Sequence, residues 1–173
     1  MNRTRQIVLA AMCVAIGVVL PQAFHAIPNA GSIFLPMHLP VLVSGFLCGP
    51  LFGAIVGALT PLLSHLIFGM PPLPVLPGML CELIAYGFCT AIFFNLIKTE
   101  NKIVRVYCVL LLGMLAGRIT YGILNSLIFR AGQYSLQTWL AAAFTTALPG
   151  IAIQLVLIPL LLLALDKAKL IRL

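Results

Sequence analysis

From residue 7 to residue 80 the chain carries no Asp, Glu, Lys or Arg. No soluble domain tolerates that, because a folded surface facing water has to be covered with charge, and the whole chain of 173 residues holds only three acidic side chains against 62% hydrophobic ones. A bilayer removes the contradiction. One crossing takes about 20 apolar residues, so this length allows five or six helices joined by short loops. In hydrocarbon the backbone must satisfy its own hydrogen bonds, which leaves helices or closed barrels, and the alternating pattern of barrel strands is absent. The expectation is an all-α integral membrane protein, a single domain over residues 1–173, with six transmembrane helices.

Prolines, glycines and charges divide the apolar sequence. The first segment covers 4–24 and is followed by the loop HAIPNAGSIF. A short second segment, 35–48, stops at Gly49-Pro50, and Pro50 suits the first turn of a third segment ending at Phe68, where its missing N–H costs nothing. The stretch GMPPLPVLP cannot be regular helix. Three more segments follow at 78–97, 103–129 and 136–165. The N-terminus has the basic and apolar regions of a signal peptide, but its apolar run continues to Phe24 with no convincing cleavage site, so it is read as a span.

Basic residues set the orientation. With six crossings, one side holds Arg3, Arg5, Lys98, Lys102, Arg105, Lys167, Lys169 and Arg172, and the other only Arg130. Both termini are therefore expected in the cytoplasm. Fusing the second and third segments into one kinked helix would put the two terminal clusters on opposite sides. The net charge of +7 does not indicate nucleic acid, since the cations sit at the ends of apolar runs and form no patch with interleaved aromatics. The five cysteines form no CxxC pair, so reduced, buried thiols are expected.

In this topology the uncommon polar residues share one depth, the outer half of the membrane. Gln22 and His25 end the first segment, His38 begins the second, His65 ends the third, Glu82 enters the fourth, Asn125 closes the fifth and Trp139 starts the sixth. An ionisable residue inside a span is costly and faces a partner or a cavity. Glu82 and Tyr86, four residues apart, share a helical face; Arg118, Tyr121 and Asn125, spaced by three and four, share another. Two readings of Glu82 stay open: an internal ion pair with Arg118, or a ligand contact. Arg118 is a structural or partner-facing cation or a ligand clamp, each histidine an interface residue or a ligand contact, and Trp139 an interfacial anchor or a pocket wall. Gln154 and the Thr145-Thr146 pair offer further hydrogen bonds near Pro149-Gly150.

Gly45, Gly49, Gly53 and Gly57 recur every fourth position, and Ala11 and Ala15 repeat that spacing in the first segment. Such faces let helix backbones approach closely. The glycines are assigned to packing within the chain; the alanine face serves equally to bind another membrane protein. Catalytic and nucleotide motifs are missing: no GxxxxGK[ST], HExxH or GxSxG occurs, and one acid at membrane depth excludes paired-carboxylate chemistry. The three histidines sit too far apart in sequence to suggest a metal site, and no chain of acids or internal duplication marks an ion-driven transporter. The chain reads as a binding subunit that borrows its energy source.

The chain resembles the S components, the substrate-binding membrane subunits of energy-coupling factor (ECF) vitamin transporters. The segment Ala11-Met-Cys-Val-Ala15 is similar to the family's AxxxA motif, and LPMHLPVLVSGFLCGPLFGAIVGALTPLL to its second and third spans. The resemblance implies a subunit in a prokaryotic plasma membrane that captures a vitamin or precursor from outside. It would dock on a T subunit carrying two ATPases, then topple in the membrane to release its cargo. Ala11 and Ala15 would face the T subunit, ATP would be used by the partners, and no cofactor or catalysis is expected of the chain itself. The element PMHLP superficially matches the Met-His start of nickel and cobalt S components, but those use a free N-terminus, so metal binding is not carried over.

For the substrate, the expected site residues are Glu82, His38, Asn125, Tyr86, Tyr121, His65, Gln22, Trp139 and Arg118. A neutral or weakly basic nitrogen heteroaromatic suits them, with its N–H on Glu82, His38 or Asn125 completing the pair, and an aromatic ring stacked on it. Dimethylbenzimidazole, a cobalamin precursor, is the leading expectation, beside a pyridoxine-like vitamer or a thiamine-precursor pyrimidine; pantothenate and riboflavin stay open. The rival classes are a small membrane enzyme and an oligomeric pore.

Overall fold

The computed structural model describes residues 2–24, 26–132 and 134–171. His25 and Arg172, both named above, lie outside the described residues. Among those residues there is no strand. The first helix, α1 (Arg3–Val19), tightens into a 3-10 turn at Leu20–Phe24, where Pro21 removes a backbone donor. A short helix α2 (Ala30–Phe34) follows, bounded by left-handed Asn29 and Leu35 (φ 59° and 51°). The expected outer loop therefore contains a helical turn of its own.

The helix α3 (His38–Phe68) is two arms rather than one rod. At Gly49 the backbone takes φ 82°, ψ 176°, a conformation essentially reserved for glycine, and Pro50 then starts the second arm. A Cβ built on Gly53 would lie 3.3 Å from the Cα of Gly45, whereas residues eight apart on a continuous helix are separated by about 12 Å. Farther from the tip, Pro40 and Thr60 both close on Gly17 of α1. The arms thus run antiparallel, and the Gly49-Pro50 reversal is where the sequence places it.

Helix α4 (Leu76–Leu96) packs on this hairpin along the glycine stripe. A Cβ on Gly45 would lie 2.8 Å from the carbonyl of Gly87, and one on Gly53 or Gly57 would run into the backbone of Gly87 or Leu83. The stripe therefore works within the chain. The outer faces of the hairpin and of α4 are covered by α1 and by α5 (Lys102–Leu124), which continues as a π-helical turn, Asn125–Phe129. The last segment departs from expectation. It begins as α6 (Leu136–Leu140), loosens into a π-helical stretch at Ala141–Thr146, and resumes as α7 (Leu148–Lys167) with Pro149 in its first turn. Pro149 cannot supply the N–H that an uninterrupted helix requires.

Among the described residues, five stretches are long and apolar enough to cross a bilayer: Arg3–Phe24, Ala30–Phe68, Leu76–Leu96, Lys102–Phe129 and Leu148–Lys167. The expected sixth is not among them because the first arm of the hairpin, 38–48, rises only about 16 Å at about 1.5 Å per residue, against a hydrocarbon core of about 30 Å. One end of the bundle collects the basic residues. There Arg5 donates to the carbonyl of Leu170, Lys102 Nζ meets Asp166 Oδ2 at 2.6 Å, and Arg105 donates to the carbonyls of Phe94 and Ile97 at 2.7 Å each. The tip of the hairpin joins them, with Gln6 Nε2 4.0 Å from the Cβ position of Gly49.

Candidate functional site

At the opposite end, four polar side chains from three helices meet in the interior. Glu82 sits on α4 about 9 Å beyond the helix start at Leu76, and Tyr86 follows one turn later on the same face. Arg118 comes from α5, and His38 is the first residue of α3. All are buried. Arg118 Nη1 lies 2.9 Å from Glu82 Oε1, the Tyr86 hydroxyl donates to the same oxygen at 3.1 Å, and His38 Nε2 stands 3.7 Å from it. The Tyr86 ring is seated where Gly117 leaves room and meets the His38 ring edge-on at 5.3 Å. One carboxylate and one guanidinium balance each other, so the cluster is neutral while His38 is neutral. Taking both ions out of water costs several kcal/mol per ion, which their mutual attraction has to offset.

This cluster borders a cavity of about 570 Å³, within the range of about 300–1,000 Å³ usual for small-molecule sites. Glu82, Arg118 and His38 reach its wall, as do Tyr121 and Gln22. The remaining lining comes from the 3-10 turn after α1, from Ile27 and Asn29, from α2 and the turn following it, from Met70–Pro72, Val75 and Met79, and from Ala142, Ala143 and Thr146 of the second π-helical stretch. Wall atoms are mostly apolar, with the charged pair concentrated at one place. Hydrogen bonding there is incomplete: both ring nitrogens of His38 and Nη2 of Arg118 are buried without a partner.

The other sequence candidates are placed around the cavity rather than in its wall. Tyr86 stands behind Glu82 and holds it. His65 Nδ1 donates to the carbonyl of Pro71 at 2.8 Å, tying the end of α3 to a loop that does line the cavity. Asn125 donates its amide to the carbonyl of Tyr121 at 2.8 Å and packs against Gly78. Trp139 donates its indole N–H to the carbonyl of Arg118 at 3.0 Å, lies over Gly122, and borders a separate pocket of about 260 Å³. Beside Tyr121, Tyr134 places its ring at 6.2 Å, and burial, with Tyr121 nearby, pushes its phenol up to about 12. Gln154 reaches from α7 to the carbonyl of Leu35 at 3.5 Å, and the carbonyls of Ile33 and Phe34 press on Gly150. These contacts fix α2 over the cavity.

Sequence reasoning did not anticipate Ser32 and the Met70–Pro72 turn as wall residues, having treated both connections only as loops, nor Met37, which it placed at the start of the second segment. A proline-dense stretch next to an acid-bearing helix was the available signal. Ala11 and Ala15 are exposed on α1, with Cys13 and Gly17 turned inward between them and the hairpin. No group of three metal-ligating side chains occurs among the described residues.

Residues 5–162 match the family described as ECF transporter, substrate-specific component. No curated protein and no solved structure matches the chain.

Proposed function

Because the chain belongs to the family of ECF transporter substrate-specific components, we propose that it captures a vitamin-sized nitrogen heteroaromatic in the cavity beside the Glu82–Arg118 pair. Members of this family are membrane-embedded substrate-binding subunits, not enzymes, and work with a transmembrane T subunit and ATPase subunits. The observation that carries the substrate reading is the cavity itself. It is mostly apolar, it is of small-molecule size, and its charged locus holds buried groups with unfilled hydrogen bonds. Tyr121 supplies an aromatic face at that locus, and Gln22 and His38 supply further polar contacts. Dimethylbenzimidazole or another neutral vitamin precursor is the substrate proposed.

For topology we propose six passes with both termini in the cytoplasm, the short first arm of the hairpin starting at buried His38 inside the bundle rather than at the membrane surface and still carrying the tip to the basic end. Contacts of Arg5 with Leu170, of Lys102 with Asp166, and of Gln6 with the hairpin tip support it, since they gather the termini, the tip and the α4–α5 turn at one basic end. The cavity then opens to the outside. Ala11 and Ala15, exposed on α1, form the proposed contact with the T subunit.

The test is native mass spectrometry of the detergent-purified protein, with identification of any released molecule. A heteroaromatic vitamin precursor bound one to one is the expected result; an empty protein that also binds none of a vitamin panel refutes the reading. The unpartnered Nη2 of Arg118 favours one second reading, a carboxylate-bearing vitamin such as pantothenate, which the same spectrum would identify as an acid.

A further inference from the structure

The buried ion pair at the cavity is made with one arm only. Arginine and carboxylate commonly pair as a fork, two nitrogens to two oxygens. Here Arg118 Nη1, the Tyr86 hydroxyl and His38 all crowd on Glu82 Oε1, at 2.9, 3.1 and 3.7 Å. Arg118 Nη2 is buried with no partner, whereas these three contacts of the carboxylate all fall on Oε1 and none on Oε2. The side chains of Arg118 and Glu82 are only 9% and 4% exposed. A charge-bearing donor thus stands unfilled at this contact, where leaving such a group unmade is expensive, and the second carboxylate oxygen takes none of the three contacts. Both residues line the cavity, and Tyr121, one turn along α5 from Arg118, lines it with them.

We propose that the cavity selects an uncharged ligand whose edge carries an N–H and an acceptor on the same carbon, as in a lactam, an amidine-type ring or an aminopyrimidine. The N–H is donated to Glu82 Oε2, and the acceptor takes the N–H of Arg118 Nη2. A carboxylate alone would fill the arginine and set a second anion against Glu82; an ammonium would fill Glu82 and face the guanidinium. A donor and an acceptor held one carbon apart complete both arms of the fork at once. Each bond is charge-assisted on the protein side. This assignment rests on the capture reading above and narrows it to a chemical edge.

Three near-isosteric probes test it by calorimetry on the intact protein in lipid nanodiscs. Oxindole carries its lactam N–H and carbonyl side by side on one carbon, 1-methyloxindole lacks the donor, and indole lacks the carbonyl acceptor. Oxindole is expected to bind at least about tenfold more tightly than either, because each deletion leaves one arm of the fork unmade. The double replacement Glu82→Gln with Arg118→Met, which removes both charges together, is expected to erase that discrimination. If 1-methyloxindole or indole matches oxindole, the edge assignment is wrong while heteroaromatic capture stands. If none of the three binds, the edge assignment falls, and the mass spectrum with the vitamin panel decides capture separately. Discrimination that persists in the double variant also overturns the assignment.

Discussion

Removing Arg118 alone should damage the protein more than removing Arg118 and Glu82 together. The pair is separated by 2.9 Å and its side chains are 9% and 4% exposed. At an effective dielectric of about 20, that distance corresponds to an attraction of about 6 kcal/mol, similar in size to the several kcal/mol needed to desolvate each ion. The intact pair is therefore nearly neutral for stability. Arg118→Met leaves the Glu82 carboxylate buried with Tyr86 as its one neutral donor, and Glu82→Gln leaves a buried guanidinium. Each single variant is expected to lose about 3–5 kcal/mol, and the double variant to recover most of it. For a chain of this size the single losses amount to a fall of about 6–20 °C in unfolding temperature. The assay is thermal unfolding in detergent, read by the fluorescence of Trp139, the one tryptophan, whose indole is bonded to the Arg118 carbonyl. Single variants as stable as the native protein, or losses that simply add in the double, would refute the account of a buried, mutually dependent pair.

Three other perturbations follow from the packing. Gly57→Val drives a side chain into the backbone of Leu83 and should cost at least about 1–3 kcal/mol in thermal unfolding, while Gly31→Ala, with nothing within 4 Å of its Cβ position, should leave the unfolding temperature unchanged. Leu59→Lys places a charge on a lipid-facing position, 39% exposed, at a cost of about 2.5–3.5 kcal/mol at mid-membrane; if the subunit rotates through lipid during transport, uptake falls while binding to the purified protein is spared, and equal loss of both counts against rotation. Ala15→Leu on the exposed face of α1 should keep ligand binding but abolish copurification with the T subunit, and undiminished copurification would remove α1 from that interface.

Much of this protein follows from residue types in order. An uncharged stretch from residue 7 to residue 80 requires a bilayer, the bilayer requires helices, and Gly49-Pro50 marks a reversal because only glycine accepts its positive φ and proline then begins a helix readily. The spacing of Glu82 with Tyr86 gives a shared face, and the structure finds the two hydrogen-bonded. What spacing does not give is which face meets which. In water a helix shows its buried side by being apolar there and polar elsewhere; in lipid the outside is as apolar as the inside, so helices that are hydrophobic all round carry little of that information. Tertiary structure therefore decided that Arg118 and His38 meet Glu82 on one oxygen, and that Gln22 lines the cavity. It also decided that His65 and Asn125 turn to backbone carbonyls instead. It broke the last segment at Ala141–Thr146, folded α2 into an expected loop, and left the first arm of the hairpin too short to count as a full crossing. Those outcomes depend on close contacts between distant parts of the chain, such as Gly150 against Ile33 and Phe34, and local sequence specifies the glycine without specifying what comes to rest on it.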